Sequence, residues 1–260
     1  MKFHHTLIEG LLLKRYKRFF GDVEFTHPKT GQKQMITVHV PNTGSMKGVL
    51  AKPTVPQLCW FSLSDNLSRK LKGTLEAVKT VDGVWVGVNT SHPNKVVQEV
   101  AVASTASNTP FFRHWKNYNF YKSEHKISKE TRLDGVFFFN ENDLDEEASK
   151  KHYVEIKNTS LMTEIDGSKH AQFPDSVTER GQKHLTELMK LIDDGHQSEL
   201  IFTIQRADAE YFSIAQDIDP VYDKLFRQAI KKGLIVTPVI VDFDQHQISL
   251  SKKVLKLKLK

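Results

Sequence analysis

The pattern of apolar residues changes character near residue 90, and that change limits what this chain can fold into. Before it, short β-branched and aromatic runs predict strands over Leu11–Phe20, Gln34–Val40, Leu58–Leu63, Thr74–Val81 and Val84–Asn89. Turn chemistry separates them at Pro28-Lys29-Thr30-Gly31, Pro41-Asn42-Thr43-Gly44, Ser64-Asp65-Asn66 and Asp82-Gly83. The last is a two-residue hairpin signal. Five short strands predict a small barrel over residues 1–91, and the OB-fold is the size match that also binds nucleic acid. A small barrel with another role stays open on these signals.

After Ser91-His92-Pro93 the period lengthens. Val96, Val97, Val100 and Ala101 recur at helical spacing, so a helix opens a second domain over residues 92–260. Strands are expected at Phe120–Ile127, Arg132–Phe139 and His152–Lys157, with the acidic loop Asn140–Glu147 joining the last two. Ser176-Val177-Thr178-Glu179 matches a capping box. Val177, Gly181, His184, Leu185, Leu188 and Ile192 would line the inward face of the helix it opens. A strand over Glu199–Gln205, a helix over Asp219–Lys232 stopped by Gly233, and a strand over Leu234–Phe243 follow. This order describes a mixed sheet flanked by helices. The alternating tail Lys252–Lys260 is expected to be an exposed edge strand or a frayed basic end.

Charge divides along the same line. The formal net charge is +6, but residues 1–100 carry 14 Lys+Arg against 7 Asp+Glu, and residues 101–260 carry 23 against 24. A basic first domain suits a polyanionic partner. Within it, Arg15-Tyr16-Lys17-Arg18 interleaves cations with a ring, the combination that grips phosphates and stacks bases; a solvated barrel strand is the other reading. The single cysteine, Cys59, excludes an internal disulfide and fits a cytoplasmic protein. No run approaches the ~18 apolar residues of a membrane span. The N-terminus does not read as a signal peptide.

The chemistry concentrates in Tyr153-Val154-Glu155-Ile156-Lys157 and Arg132-Leu133-Asp134-Gly135. Glu155 and Lys157 sit two apart, so on a strand both leave the same face. A carboxylate and an ammonium together make a poor core but hold a divalent cation next to a water. With Asp134 from the preceding strand, the pattern is that of metal-dependent phosphodiester cleavage. Mg²⁺ or Mn²⁺ is the expected cofactor, since Mg²⁺ needs only one or two protein carboxylates besides water and phosphate. Asp134 and Glu155 are the expected ligands, with the Ile156 carbonyl as another and Glu124 as a third acid. Lys157 would orient the water and offset developing charge. In the next helix, Arg180, Gln182 and Lys183 are placed to hold the nucleic-acid backbone. His184 falls on the apolar stripe and reads as a packed or supporting histidine. Singly, each of these is also an ordinary surface pair or turn residue.

Several blocks together resemble the sugar fermentation stimulation protein A family. They are Arg15-Tyr16-Lys17-Arg18-Phe19, Pro41-Asn42-Thr43-Gly44-Ser45-Met46, Ser64-Asp65-Asn66, Asp134, Glu155-Ile156-Lys157, Phe173-Pro174-Asp175 and Thr178-Glu179-Arg180-Gly181-Gln182-Lys183-His184-Leu185. The resemblance implies an N-terminal OB-like barrel and a C-terminal domain like the PD-(D/E)xK nucleases, a mixed restriction-endonuclease-like sheet. It carries Asp134, Glu155 and Lys157 over as the nuclease positions, with Glu124 and Gln182 beside them. It also implies non-specific DNA binding and a regulatory link to maltose and other sugar metabolism in bacteria. Leu133 stands where such a motif has proline, and the acidic Asn140–Glu147 loop is long enough to shield or gate the site. Two functions remain: a metal-dependent nuclease acting on DNA, possibly single-stranded, or RNA, and a DNA-binding regulator without turnover. Oligomeric state is not legible.

Overall fold

The structure, a computed structural model, describes residues 1–50, 55–66, 68–107, 109–146 and 148–259. Glu147 and Lys260, the ends of the acidic loop and of the basic tail, fall outside these. The first domain is built from β1 (Ile8–Tyr16), β2 (Phe20–Thr26), β3 (Lys33–His39), β4 (Gln57–Leu63) and β5 (Gly73–Lys79), followed by the short β6 (Trp85–Gly87). The strands pair in the order β3-β2-β1-β4-β5-β6. A parallel pairing of Val38 with Gly73 and His39 with Thr74 joins β3 to β5 and closes the barrel. Alternate residues point inward, and Leu12, Val23, Phe25, Val38, Phe61 and Leu75 fill the interior. Cys59 is buried among them, and burial pushes its thiol up to about 12.

The expected strand Leu11–Phe20 is in fact two strands. The chain reverses at Lys17 and Arg18, both at positive φ (46° and 63°), the conformation of a tight hairpin turn. Neither residue is the Gly, Asn or Asp that marks such a turn, so β2 went unseen. Val84–Asn89 shrinks to β6, which pairs with β5 but takes no part in closure.

The second domain opens with α1 (His92–Thr105) and continues through β7 (Phe120–Lys126), β8 (Arg132–Phe138) and β9 (His152–Thr159). A hairpin of β10 (Leu161–Ile165) and β11 (Ser168–Phe173) leads to α2 (Glu179–Asp193) and β12 (Gln197–Ile204). Then come β13 (Tyr211–Ile214), α3 (Pro220–Lys232), β14 (Ile235–Phe243), β15 (Ile248–Val254) and β16 (Lys256–Leu257). The main sheet has the order β15-β14-β12-β9-β8-β7. Its three central strands are parallel, which requires crossovers such as α2 and α3 provide. On one face, α1 covers Phe137, Val154, Ile156, Ile201 and Val239. On the other, α2 and α3 pack over Tyr153, Leu200, Phe202 and Ile240 together with β11 and β13.

A second sheet, β10-β11-β13-β16, had no counterpart in the sequence reading, because its strands are short and take their partners from distant segments. The tail is half edge strand: β15 pairs antiparallel with β14. It is not frayed, since Leu255 is buried and β16 adds to β13. The start of α2 also differs. Thr178, not Ser176, is the N-cap, its hydroxyl accepting the Gly181 N–H at 3.0 Å, and Val177 lies exposed before the helix rather than on its inward face. The acidic loop forms a short 3-10 helix over Glu141–Leu144, closed by reciprocal Asn140–Asp143 bonds. Its Leu144 packs on the core, and Asp145 lines a groove with His125, Lys151 and His196 rather than with any residue of the expected site. No described helix is long and apolar enough to cross a membrane.

Hydrogen bonds stitch the domains together. Gly87 N–H donates to the Gln205 carbonyl at 3.1 Å, and Arg206 Nη1 donates to the Gly48 carbonyl at 3.3 Å. The first residues run across the second domain, with Phe3 N–H bonded to the His246 carbonyl at 2.8 Å.

At the centre of the main sheet sits a fully buried carboxylate, Glu199 of β12. Trp115 Nε1 donates to it at 2.8 Å, His114 Nε2 and His152 Nε2 lie 2.8 and 3.1 Å away, and Thr237 donates its hydroxyl. Burial opposes its ionisation, but the two histidines outweigh burial and hold the carboxyl well below the usual range. A depressed carboxyl stabilises the fold above its unfolded value and loses that contribution as pH falls. Glu199→Ala would strand four polar groups, so a loss of about 3–5 kcal/mol is expected by urea denaturation at pH 7. The wild-type advantage over the variant should shrink in acid, and a variant as stable as wild type at pH 7 would contradict this.

Candidate active site

The ladder between β8 and β9 runs through Phe137↔His152, Val136↔Tyr153 and Gly135↔Val154, and then stops. Where the next pair would form, the Asp134 side chain takes over. Its Oδ2 accepts the Ile156 N–H at 2.7 Å, and its Oδ1 accepts from Asn94 Nδ2, on the first turn of α1, also at 2.7 Å. A strand residue sends its N–H and C=O to the same edge, so the Ile156 carbonyl leaves β9 on the side of Asp134. Gly135 is glycine for a local reason: a Cβ there would lie 2.1 Å from the Tyr121 hydroxyl. That hydroxyl covers the strand 3.5 Å from the Asp134 carbonyl.

Glu155 projects on the α2 side, 2% exposed. Lys157 Nζ reaches its Oε1 at 2.7 Å, and His184 Nδ1 bonds the same oxygen. The other oxygen, Oε2, is buried with no hydrogen-bond partner among the described residues. Such an atom is costly unless something meets it. The two carboxyls are driven apart. Burial, then repulsion from Glu155, pushes Asp134 up to about 6. Burial also works to raise Glu155, but Lys157 and His184 outweigh it and hold that carboxyl below its ordinary value. Asp134, Glu155 Oε2 and the Ile156 carbonyl make an all-oxygen donor set where the β8–β9 ladder ends, and such a set fits a hard divalent cation.

The structure therefore brings Asp134, Glu155, Ile156 and Lys157 together and leaves Glu124 out. Glu124 stands in an exposed ion pair with Arg132 at 3.0 Å. On α2, Arg180 Nε lies 3.5 Å from His184 Nε2 and so backs Glu155 through the imidazole. Gln182 Nε2 donates to both oxygens of Asp219, at 2.9 and 3.1 Å, tying the starts of α2 and α3. Lys183 pairs with Glu130 at 2.7 Å on the surface. Asn94, Tyr121 and Asp219 escaped the sequence reading. Asn94 is a surface-type residue after a proline, and nothing local ties it to a strand 40 positions later.

In the barrel, the four basic-aromatic residues play different parts. Arg15 donates to the backbone carbonyls of Arg18 (3.1 and 3.0 Å), Asn42 (2.8 Å) and Gly44 (3.0 Å). It clamps the hairpin to the Pro41–Gly44 loop. Tyr16 stacks on Phe20 and donates to Asp22 at 3.2 Å. Lys17 and Arg18 form the exposed hairpin tip beside the exposed Phe19, next to a groove of about 300 Å³ that Met46 and Lys47 also line.

Asp134 makes the stability of the fold depend on pH. Its unfolded carboxyl ionises near 3.9 and its folded one near 6. Between those values only the folded form keeps the proton, so stability falls as pH rises, by on the order of 2 kcal/mol. Asp134→Asn removes that penalty. Without divalent cations it should melt above wild type at pH 7.5 and close to it at pH 4; a lower melting point at pH 7.5 would refute this. Arg15→Ala is expected to cost about 1.5–3 kcal/mol in urea denaturation, whereas Lys17→Ala with Arg18→Ala should leave stability nearly unchanged.

Comparison with known proteins places the chain. A family model described as "Sugar fermentation stimulation protein RE domain" matches residues 91–247, and one described as "SfsA N-terminal OB domain" matches residues 13–88. A sugar fermentation stimulation protein homolog of Bdellovibrio bacteriovorus is 50% identical over 262 residues, covering 100% of both chains. One of Rippkaea orientalis is 40% identical over 233 residues, covering 90% of this chain and 87% of that one. A solved structure described as "The structure of Pyrococcus Furiosus SfsA in complex with Ca2+" shares the fold. Its TM-score is 0.77 at 19% identity, over 100% of this chain and 98% of that one. The chain belongs to the sugar fermentation stimulation protein family.

Proposed function

We propose that this protein is a divalent-cation-dependent nuclease of the cytoplasm, hydrolysing phosphodiester bonds in DNA or RNA that its basic barrel helps to hold. The observation that carries this reading is the buried Glu155 Oε2, without a hydrogen-bond partner among the described residues, beside Asp134 and the Ile156 carbonyl. A protein that only bound nucleic acid would gain nothing by turning two carboxylates towards phosphate, whereas an enzyme needs them for a cation. The Pyrococcus furiosus relative is described as in complex with Ca²⁺, an ion that takes oxygen ligands, which suits the same donor set.

Asp134, Glu155 and the Ile156 carbonyl would hold Mg²⁺ or Mn²⁺. When bound, that ion supplies charge neutralisation at the phosphate and a water acidic enough to act near neutral pH. The chain's own groups do the rest. His184 and Lys157 fix one oxygen of Glu155, so its free oxygen keeps a single direction. The Lys157 ammonium, 15% exposed at its side chain, stands beside Glu155, where it orients a water and offsets charge gathering on the phosphate. Arg180, exposed on the first turn of α2, adds a cation and a helix N-terminus to hold the neighbouring backbone. Lys17 and Arg18 offer further phosphate contacts, expected to weaken with salt.

Labelled single- and double-stranded DNA and RNA, incubated with Mg²⁺, Mn²⁺ or EDTA, test the reading. Wild type should cut one or more of these only with the cation. Glu155→Gln and Lys157→Ala should each lose at least about 100-fold in rate, with affinity in EDTA within about twofold. Binding without turnover on every substrate would instead leave a DNA-binding regulator of sugar metabolism.

A further inference from the structure

Two residues past Lys157, about 7 Å along β9, the domains face each other across a cleft of about 260 Å³. The barrel side is Asn42, Thr43 and Gly44, and the other side includes Asn158, Thr159, Gln172 and Asp175. Among the described residues, no Lys, Arg or His lines it. The Thr159 hydroxyl and Asn158 Oδ1 are buried with no hydrogen-bond partner among the described residues, Thr159 being 2% exposed. The Asp175 carboxylate has no ion pair among the described residues. The barrel wall is held by Arg15, whose guanidinium grips the Asn42 and Gly44 carbonyls. Gly44 approaches Asp175 so closely that a Cβ would sit 2.8 Å from its Oδ2.

The Asp175 carboxylate repels phosphate, and beside it Asn158 Oδ1 and the Thr159 hydroxyl can each accept a hydrogen bond. They suit a neutral group that presents N–H donors, and the donor edge of a nucleobase is such a group. The cavity is smaller than the roughly 300–1,000 Å³ of drug-sized sites, the scale of one nucleoside and too small for a base pair. In a duplex that donor edge is already bonded to the opposite strand, so a base enters only when unpaired or flipped out. We infer that this cleft receives the base of one unpaired nucleotide next to the phosphate cut at Asp134, Glu155 and Lys157. The nuclease, on whose activity this inference rests, therefore acts on single-stranded or locally opened nucleic acid and favours a base with an exocyclic amino group at that position.

The experiment measures cleavage with Mg²⁺, and anisotropy in EDTA, on single strands and matching duplexes. The strands are otherwise uniform and carry cytosine or thymine at successive positions. Wild type, Thr43→Phe and Asp175→Asn are compared, after melting curves confirm folding; Thr43 is exposed, so its ring would plug the cleft from the barrel side. Wild type should cut single strands at least about tenfold faster than duplex, with one position near the cut favouring cytosine. Thr43→Phe should lower single-strand affinity and rate about tenfold, the worth of one base contact. Asp175→Asn should reduce the preference for cytosine at that position. A wild type that cuts duplex equally well, or cleavage unaffected by both variants, overturns the base site while leaving the nuclease standing. A wild type that neither binds nor cuts any strand overturns both.

Discussion

The second domain turns on the place where β8 parts from β9. A backbone ladder that ends inside a protein leaves an N–H and a C=O that must be met. Here the Asp134 carboxylate meets the Ile156 N–H at 2.7 Å, and Asn94 in turn steadies the carboxylate. The same parting leaves the Ile156 carbonyl on the side of that N–H, while Glu155 and Lys157 meet on the α2 side of the sheet. Asn94 of α1, Asp134 and the backbone of Ile156 all meet at this one break in pairing.

Electrostatics then separates two carboxyls that chemistry would otherwise treat alike. Asp134 and Glu155 are both buried, and burial works against ionising either. Glu155 has Lys157 and His184 to overcome that cost. Asp134 has one backbone N–H and one amide, and it also faces the charge of Glu155. The result is one carboxylate held ionised and another poised near 6, a division typical of sites that bind cations or move protons. Glu199, one strand over, shows the contrasting structural use of a buried carboxylate. Its oxygens are met by Trp115, His114, His152 and Thr237, and none is left for a ligand.

The barrel contributes more than charge. Arg15, which by sequence looked like a phosphate contact, uses its guanidinium on three backbone carbonyls and so builds the wall of the cleft between domains. Of those four residues, the cations that stay exposed are Lys17 and Arg18. Such a division of labour among four neighbouring residues cannot be read from composition, because Arg15 and Arg18 differ only in what the fold puts in reach.

The sequence alone determined the two-domain plan, the strands and helices with clean periods, and the same-face placement of Glu155 and Lys157. Those properties depend on local geometry: period two in a strand, 3.6 in a helix, and the stops at Gly233 and Asp82-Gly83. It missed the Lys17-Arg18 turn, whose positive φ angles have no glycine to announce them, and the second sheet, whose strands find partners such as β16 far along the chain. Only the tertiary structure decided that Asn94 and His184 support the two carboxylates, that Glu124 stays with Arg132, and that Gln182 serves Asp219. Those choices are contacts between segments distant in sequence. They are set by how α1, α2 and the sheet pack, which no local pattern encodes.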